Sequence, residues 1–363
     1  MDQAQVKSIR NACTRFVSGH YPLSVPQMLT ELLAAASPDL RADIYGQGDL
    51  INDFEKQIAG LLGKEAAVFM PSGSMAQPIA LRIWSERKHS QHVAFHPTSH
   101  LELHEQKGYQ LLHGLHGVLV GSSNQLMTLA DLNRISEPLA ALLIELPQRE
   151  IGGQLPEWND LLAMTNWARE RGVALHLDGA RLWECQPFYQ RPYHEIAALF
   201  DTVYVSFYKI LGGIAGAMLA GPADIMAEAR IWQRRQGGNL VRLFPFVLAA
   251  KIGFEKRLPH MTAYRDKAVE IAHALAAIPQ IDVVPNPPQV NMLHVFLRGP
   301  KDRLEAAALE IAQAQKVWLF NQPLAPTQIP DLNKFELTVG DAALDLDTNE
   351  IAALFRSIFE QAD

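Results

Sequence analysis

HLDGARLW, at residues 176–183, joins an apolar run to a glycine turn and then to an arginine. The run at residues 173–178 has the length of a buried strand, so Asp178 stands at its carboxyl end. A buried carboxylate is costly without a cationic partner, and a protonated pyridine nitrogen is one such partner. Arg181, just past the strand end, can bind a carboxylate through its planar guanidinium. An internal ion pair between Asp178 and Arg181 is the alternative explanation.

Short apolar runs alternate along the chain with longer segments of helical spacing. The runs predict strands at residues 66–70, 93–95, 117–120, 141–146, 173–178, 202–206 and 217–220. Helices are expected between them at residues 51–62, 75–85, 129–135, 157–171 and 193–199. This alternation indicates an α/β protein with a mostly parallel seven-stranded sheet covered on both faces. Because ligands of such sheets bind at the carboxyl ends of strands, residues that end strands are the best site candidates.

Beyond about residue 245 the alternation is replaced by long helices and shorter strands. Helices are expected at residues 246–256, 263–277, 302–314 and 348–361, and strands at residues 281–284, 292–297 and 335–339. Residues 322–333 contain three prolines and predict an irregular loop. We therefore expect an N-terminal arm over residues 1–41 with one helix at 25–36, a large domain over 42–245 and a smaller α+β domain over 246–363.

Lys209 follows the strand predicted at residues 202–206 and precedes a turn that contains Gly212 and Gly213. A lysine in this position can point into the same crevice as Asp178. Lysine condenses with aldehydes, and burial or a neighbouring charge lowers its pKa enough for it to act as nucleophile and base. A solvent-exposed loop lysine is the alternative, and it is the simpler explanation for a lysine considered alone.

A short loop of small residues, Pro71-Ser72-Gly73-Ser74, lies between a predicted strand and a predicted helix. Free backbone N–H groups and the helix dipole favour a phosphate at such a place, and Gly73 allows it to approach closely. Capping of the helix by Ser72 or Ser74 is the alternative.

His100 follows the strand predicted at residues 93–95, where its flat imidazole could stack on a cofactor ring. His96, His100 and His104 also resemble a metal spacing, but Pro97 interrupts any shared helix, so no metal site is expected. Neither G-x-G-x-x-G after a strand nor G-x-x-x-x-G-K-[ST] is present, which argues against nicotinamide and nucleoside triphosphate binding. The absence of G-x-S-x-G argues against a hydrolase of that class.

The composition of the 363 residues is that of an ordinary globular protein, with 48% hydrophobic residues and a formal net charge of −7. A mildly acidic chain has no general attraction for nucleic acid or anionic membranes. Cys13 and Cys185 are too few for a disulfide framework or a structural zinc site, and they fit a reducing compartment. Because no apolar run approaches the roughly 20 residues that span a bilayer, and none suggests a secretory signal, a cytoplasmic protein is expected.

The order of the phosphate loop, the histidine, the strand-end aspartate and the strand-end lysine resembles fold type I, the aspartate-aminotransferase-like fold of pyridoxal-phosphate enzymes. Within that fold the sequence resembles the threonine aldolase and β-eliminating lyase family. HLDGARLW matches a family signature almost letter for letter, and PSGSMA at residues 71–76 resembles the family's PSGTMA loop. Further likenesses lie in IYG at 44–46, LLGKEAA at 61–67, SHL at 99–101 and the segment around Lys209.

The resemblance implies a catalytic role for four residues. Lys209 would carry pyridoxal 5′-phosphate as a Schiff base, the internal aldimine, and Asp178 would pair with the pyridine nitrogen. His100 would stack on the cofactor ring, and Arg181 would bind the substrate carboxylate while lying against the cofactor.

The resemblance also implies how the phosphate is held. Ser72, Gly73 and Ser74 would bind it, together with Ser206. Active sites of the family lie at subunit interfaces, so we expect a homodimer or homotetramer. A basic residue of a partner chain would then complete the phosphate site, with Arg234 or Arg235 as the candidate.

Three positions depart from the family pattern where substrate is bound. Phe16 stands where the family has a serine, Gln148 where it often has a histidine, and Glu336 where it has an arginine. The cofactor end of the site therefore resembles the family more closely than the substrate end does.

The sequence thus predicts a pyridoxal-phosphate-dependent lyase that cleaves a β-hydroxy amino acid to glycine and an aldehyde. A β-eliminating lyase or an aminotransferase acting on another amino acid is the alternative. A non-enzymatic protein with this fold is disfavoured by the presence of Lys209 and Asp178. The general base is left open between His100, a water molecule and Lys209.

Overall fold

The computed structural model describes residues 3–362 and groups the chain into two compact units. The large unit comprises residues 24–151 and 155–259, and the small unit comprises residues up to 23, residues 152–154 and residues from 260 onwards. A helix at Val25–Ala35 and residues 246–259 both belong to the large unit. The sequence pattern had placed the first in an arm and the second in the C-terminal domain.

The strands and helices have the following bounds. The strands are β1 (Arg15–Phe16), β2 (Ala66–Met70), β3 (His92–Phe95), β4 (His116–Leu119), β5 (Leu139–Glu145), β6 (Ala174–Gly179), β7 (Thr202–Ser206), β8 (Ala217–Gly221), β9 (Ile281–Val284), β10 (Met292–Arg298), β11 (Val317–Trp318), β12 (Ala325–Pro326) and β13 (Leu332–Thr338). The helices are α1 (Gln3–Ala12), α2 (Val25–Ala35), α3 (Asp49–Leu62), α4 (Gly73–Lys88), α5 (His100–Leu103), α6 (Gly108–Leu111), α7 (Leu129–Leu132), α8 (Trp158–Glu170), α9 (Gln186–Tyr189), α10 (Tyr193–Ala197), α11 (Ala223–Arg235), α12 (Phe244–Arg257), α13 (Met261–Ala276), α14 (Lys301–Gln315), α15 (Asp341–Leu344) and α16 (Thr348–Ala362). Short 3₁₀ turns lie at Arg149–Ile151, Leu182–Glu184 and Leu258–His260.

The large unit is built on a seven-stranded sheet in the order β2-β8-β7-β6-β5-β3-β4. Strands β7, β6, β5, β3 and β4 are parallel to one another, and β8 runs antiparallel to both of its neighbours. The α/β class and the mostly parallel sheet predicted from the sequence are confirmed. The central strands read as continuous apolar runs because both faces of the sheet are covered.

One face of this sheet is covered by α4 and α11. Their buried residues form a single cluster with those of β2, β7 and β8: Val68, Met70, Ala76, Ile79, Ala80, Ile83, Tyr204, Ala217, Leu219, Ile225, Met226 and Ala229. Small residues on α4, such as Ala76 and Ala80, allow the helix to lie close to the strands. This packing holds the N-terminus of α4 at the edge where the strands end.

The small unit contains an antiparallel sheet in the order β12-β13-β10-β9 and a parallel pair formed by β1 and β11. Residues of β13 alternate between buried and half-buried, as expected for a sheet with one face on a core. The loop predicted at residues 322–333 was partly wrong, because β12 pairs with β13 inside it. Two residues of β12 are too few to produce an alternating pattern in the sequence.

Helices α1 and α11 were not expected from the sequence. Helix α11 buries Ile225, Met226 and Ala229 on a narrow stripe, and helix α1 has no fully buried residue. Both helices are polar on average, so few apolar residues mark them in the sequence, and tertiary packing stabilises them instead. Of residues 3–362, no helical segment combines the length and apolar character that crossing a membrane requires.

Candidate active site

The strands at the centre of the large sheet end in acidic or hydroxyl side chains. Glu145 and Asp178 are direct partners in the parallel pairing of β5 with β6, and β7, which follows in the sheet, ends at Ser206. This is the edge at which α/β sheets bind ligands. A pocket lies there, lined by Ser74, Gln77, Thr98, His100, His104, Glu105, Glu145, Arg149, Glu150, Asp178, Arg181, Tyr204, Tyr208 and Lys209.

The pocket brings together Ser74, His100, Asp178, Arg181 and Lys209, which the sequence had singled out on four separate segments. Strand order explains the meeting, since β5, β6 and β7 are neighbours and α4 begins beside them. The local pattern of the sequence places each residue at a strand end, and the topology places the strand ends together.

Asp178 is almost fully buried, with 1% of its surface exposed. Its Oδ1 accepts a hydrogen bond from the backbone N–H of Ala180 at 3.1 Å. Arg181 has its ion-pair partner on its own turn, where Nε lies 4.0 Å from Glu184 Oε1. Asp178 and Arg181 therefore do not form the internal ion pair that was the alternative explanation of the motif. The buried carboxylate is available to a cationic group in the pocket.

Lys209 is half-buried and lines the pocket. Burial, together with the charge of Arg181, lowers the pKa of Lys209 from 10.5 to about 8, while Asp178 and Glu145 oppose the shift. A substantial neutral fraction near neutral pH follows from that pKa, and the neutral amine is the form that attacks a carbonyl carbon. The alternative of a solvent-exposed loop lysine does not fit this environment.

Glu145 is a site residue that the sequence pattern alone did not single out. Burial and the charge of Asp178 raise the pKa of Glu145 from 4.5 to about 8. Its Oε2 accepts a hydrogen bond from Gln148 Nε2 at 2.9 Å, and its Oε1 accepts one from the Arg149 backbone N–H at 3.2 Å. Gln148, which is buried, also donates to Thr98 Oγ1 at 3.2 Å. Glu145 is the last residue of β5 and Asp178 is the last but one of β6, so the position at a strand end was the signal that could have identified Glu145.

The N-terminus of α4 is shaped by a tight contact with β7. Ser72 caps the helix, because its Oγ accepts the Ser74 backbone N–H at 3.2 Å. A Cβ on Gly73 would collide with the Tyr204 hydroxyl and would lie 2.5 Å from Tyr204 Cζ. The buried Gln77 Oε1 in the next turn has no hydrogen-bond partner among residues 3–362. The capping explanation and the phosphate explanation are thus compatible, since the cap occupies one N–H group of several.

His100 begins α5 and is held by an acidic neighbour. Its Nδ1 lies 2.9 Å from Glu105 Oε1, and Glu105 has only 3% of its side chain exposed. The ring centroids of His100 and His104 are 5.0 Å apart, and His104 Nε2 lies 2.9 Å from Glu150 Oε1. His96 turns away from this group, with Nδ1 2.8 Å from Thr98 Oγ1 and Nε2 2.9 Å from the Ser122 carbonyl oxygen. The histidines are therefore engaged separately and do not converge as a ligand set.

Two tyrosines complete the pocket and were also missed from the sequence. Tyr204, on β7, and Tyr208, directly before Lys209, have hydroxyl oxygens 3.5 Å apart. Tyr204 is buried, whereas Tyr208 is 38% exposed. Burial raises the pKa of both phenols. Aromatic residues in a strand are more often core residues, so no local signal distinguished these two.

Ser206, Arg234 and Arg235 do not line the pocket of their own chain, and the supply of an arginine by a partner chain stays a prediction. The Ser206 hydroxyl donates to the Ala180 carbonyl oxygen at 2.7 Å, and so ties the end of β7 to the turn after β6. Arg234 and Arg235 are exposed at the C-terminal end of α11, where the Arg235 guanidinium lies 4.5 Å from the Trp232 ring centroid. Neither arginine lines the pocket.

Phe16 and Glu336 belong to the small unit. Phe16 is buried in an apolar cluster with Cys13, Ala312, Trp318 and Ala342. Glu336 lies on β13, opposite His294 of β10. Substrate-binding roles for both residues stay predictions.

The side chains of the pocket fit pyridoxal 5′-phosphate. Asp178 is a buried carboxylate suited to a protonated ring nitrogen, and Lys209 is an amine with a lowered pKa suited to an aldehyde. The loop at Ser72 and Gly73 offers backbone N–H groups, without side-chain bulk at Gly73, to a phosphate. The chemistry of these groups matches the three polar parts of the cofactor.

Comparison with protein families agrees with this geometry. The model of the beta-eliminating lyase family matches residues 23–299. The chain belongs to the beta-eliminating lyase family. It is therefore a pyridoxal-phosphate-dependent lyase of fold type I, as the sequence predicted.

Individual relatives are threonine aldolases and related proteins. A structure from Listeria monocytogenes EGD-E, provisionally named an L-allo-threonine aldolase, is 44% identical, covers 99% of both chains and superposes with a TM-score of 0.94. The aldolase vrtJ of Penicillium aethiopicum is 32% identical over 62% of this chain and 59% of its own length. The low-specificity L-threonine aldolase of Escherichia coli K12 is 27% identical over 68% of this chain and 74% of its own length.

Proposed function

We propose that this lyase cleaves a β-hydroxy-α-amino acid between Cα and Cβ and releases glycine and an aldehyde. The observation that carries the proposal is the meeting of Lys209 and Asp178 in one pocket, at the ends of neighbouring strands. The names of the aldolase relatives support the same reaction. When bound, pyridoxal phosphate withdraws electrons from Cα, which allows a bond to that carbon to break.

Lys209 and Asp178 hold the cofactor at its two reactive positions. The neutral amine of Lys209, favoured by its lowered pKa, supplies the covalent attachment. The buried carboxylate of Asp178 keeps a proton on the ring nitrogen. The Gly73 backbone N–H and the Ser74 hydroxyl donate to the phosphate, while Ser72 Oγ accepts the Ser74 backbone N–H and so caps the helix.

Arg181 and His100 act on the substrate. The Arg181 side chain is 13% exposed, and its guanidinium binds the substrate carboxylate, which orients the Cα–Cβ bond. Because Glu105 engages His100 at Nδ1, Nε2 is the nitrogen that receives the proton of the β-hydroxyl. Gln148 holds Glu145 and Thr98 in place with its amide, so its role at the substrate end is to position other groups.

The protein acts as a homodimer or homotetramer on a small amino acid. Support for association comes from α2, where Val25, Leu29 and Leu33 recur every fourth residue and are each more than half exposed. An exposed apolar stripe of this kind marks a protein interface. Both described cysteine thiols, at Cys13 and Cys185, are free, which agrees with a reducing compartment such as the cytoplasm.

A Lys209→Ala variant tests the attachment of the cofactor. The purified wild-type protein is expected to show a visible absorbance band after addition of pyridoxal phosphate, and the variant is expected to lack it. Lys251→Ala, which removes a lysine paired with Glu255 outside the pocket, serves as the control and keeps the band. Persistence of the band in Lys209→Ala would contradict the assignment of the lysine.

Product analysis tests the reaction. L-threonine, L-allo-threonine and other β-hydroxy amino acids are incubated with the enzyme, and aldehyde, ammonia and keto acid are assayed separately. Aldehyde and glycine in equal amounts support aldol cleavage. Ammonia with keto acid and no aldehyde would identify β-elimination instead. Keto acid without ammonia, formed when a second keto acid is added as amino acceptor, would identify transamination.

A further inference from the structure

The small unit contains a cleft of about 670 Å³ between α1, α14 and the chain that follows β11. We refer to it as the α1–α14 cleft. Its volume is in the range of pockets that bind small organic molecules. None of its lining residues lines the active-site pocket described above. The cleft is thus a separate place at which a ligand could bind.

The floor of the α1–α14 cleft is apolar and aromatic. Trp318 and Phe320 line it, each with 8% of its surface exposed, and Leu309 of α14 lies beside them. Val6 of α1 packs against the same cluster. Flat aromatic side chains in a concave site favour a ligand with an apolar, preferably aromatic, body.

Trp318 lines the cleft, and its indole N–H is the first polar group to consider. The Nε1 atom is buried and has no hydrogen-bond partner in the described part of the chain. A buried donor without an acceptor is unfavourable, so most such groups in proteins are satisfied by protein, water or ligand. The Trp318 N–H can therefore be satisfied only by an acceptor from outside the described chain.

The second polar feature is an unbalanced positive charge. Lys7 and Arg10 lie one turn apart on α1, both line the cleft, and neither side chain forms a hydrogen bond or ion pair within residues 3–362. The acid at the cleft, Glu305, is already engaged, since it accepts the Leu324 backbone N–H at 2.8 Å and lies 3.8 Å from Lys301 Nζ. The cleft is consequently complementary to an anionic group.

We propose that the α1–α14 cleft is a binding site for an amphipathic monocarboxylate with an aromatic or branched apolar body. The apolar body lies against Trp318 and Phe320. The carboxylate accepts hydrogen bonds from the Trp318 N–H and from Arg10, with Lys7 as the second charge.

Calorimetric titration of the pyridoxal-phosphate-loaded protein tests the proposal. The probe is 3-phenylpropanoate, and the matched neutral probe is 3-phenylpropan-1-ol. Saturable binding of one carboxylate per chain is expected, with the alcohol at least about tenfold weaker because it lacks the charge. The visible spectrum is recorded in the same titration, and it is expected to stay unchanged because the cofactor pocket is not involved.

Variants locate the binding. Lys7→Gln and Arg10→Gln are surface changes that are expected to weaken 3-phenylpropanoate binding about tenfold and to abolish the preference over the alcohol. Trp318→Phe keeps an aromatic ring but removes the indole N–H, and it is expected to weaken 3-phenylpropanoate binding about fivefold. Lys56→Gln, a lysine of the large unit with 80% of its side chain exposed, is the charge control and binds as the wild type does.

Three outcomes would overturn the proposal. They are equal affinity for acid and alcohol, no response to Lys7→Gln and Arg10→Gln, and no saturable binding by the assembled protein. The third outcome includes the case in which a second copy of the chain covers the cleft.

Discussion

Two carboxyl groups on adjacent strands share one environment at the centre of the active site. Glu145 and Asp178 are register partners, and both are buried. Like charges so placed disfavour double ionisation, and one group retains a proton. Glu145 is the group that retains it, because burial and the charge of Asp178 raise the pKa of Glu145 to about 8. The pair thus presents one negative charge to the pocket.

The proton on Glu145 makes stability depend on pH. With a pKa of about 8 in the folded chain against an ordinary value of 4.5, the folded chain binds one more proton than the unfolded chain between these pH values. The free energy of unfolding therefore falls as pH rises through this window, by about 1.4 kcal/mol per pH unit. Glutamine cannot titrate, so the wild type is expected to lose stability relative to Glu145→Gln across the window.

Urea unfolding of the cofactor-free proteins measures this difference. It is carried out at about pH 5.5, 6.5 and 7.5, which lie between the two pKa values of Glu145. The control is Glu86→Gln, an exposed residue paired with Arg82 on α4. Parallel pH profiles for the wild type and Glu145→Gln would show that Glu145 is ionised in the folded chain.

Gly73 is required by the close approach of Tyr204. We expect Gly73→Ala to lower the free energy of unfolding by about 1–3 kcal/mol and to weaken retention of pyridoxal phosphate, because Tyr204 must move away from the α4 N-terminus. Gly60→Ala is the matched control, since its Cβ would meet nothing within 4 Å on α3. That change is expected to stabilise the protein by about 0.5–1 kcal/mol. Equal effects of the two changes in urea unfolding would contradict the argument.

At the scale of elements, a buried carboxylate ties α3, β2 and α11 together. Glu55 of α3 accepts the Phe69 backbone N–H of β2 at 2.7 Å and pairs with Arg230 of α11. Burial raises the pKa of Glu55, and Arg230 opposes that shift. The hydrogen bond supplies the edge strand β2 with an acceptor on the side that has no strand neighbour. It also helps to hold α11, whose own apolar stripe is narrow.

Glu55→Ala is expected to lower the free energy of unfolding by about 3 kcal/mol, because a backbone N–H and an arginine both lose their partner. Glu86→Ala breaks an exposed pair with Arg82 on α4 and is expected to cost less than about 1 kcal/mol. Chemical denaturation of both variants measures the contrast. A cost for Glu55→Ala no larger than that for Glu86→Ala would mean that the pair does not hold the elements together.

At the scale of the whole molecule, we expect the proposed dimer or tetramer to form through the exposed apolar stripe on α2, which consists of Val25, Leu29 and Leu33. Leu29→Glu combined with Leu33→Glu is expected to produce a smaller species, because charges replace apolar groups in the contact. Ala34→Glu places the same charge on α2 away from the stripe and is expected to leave the size unchanged. Light scattering after gel filtration measures the mass. An unchanged mass for the double variant would place the interface elsewhere.

The sequence determined the fold class and the chemical type of the site. Seven apolar runs and the helices between them predicted the large sheet, because strand and helix periodicities are local properties of the chain. Asp178 and Lys209 could be selected for the same reason, since each stands at the end of a recognisable strand. The family motifs around them then indicated the cofactor and the class of enzyme.

Only the tertiary structure decided which residues meet. The pairing of β5 with β6 brings Glu145 beside Asp178, and the packing of α4 on β7 places Tyr204 against Gly73. Helix α11 is stabilised by packing against α4 and the sheet, which its own sequence does not predict. These contacts join residues far apart in the chain, and strand order is not encoded in any single segment. The α1–α14 cleft likewise exists only because α1 packs against α14 and leaves Trp318 between them.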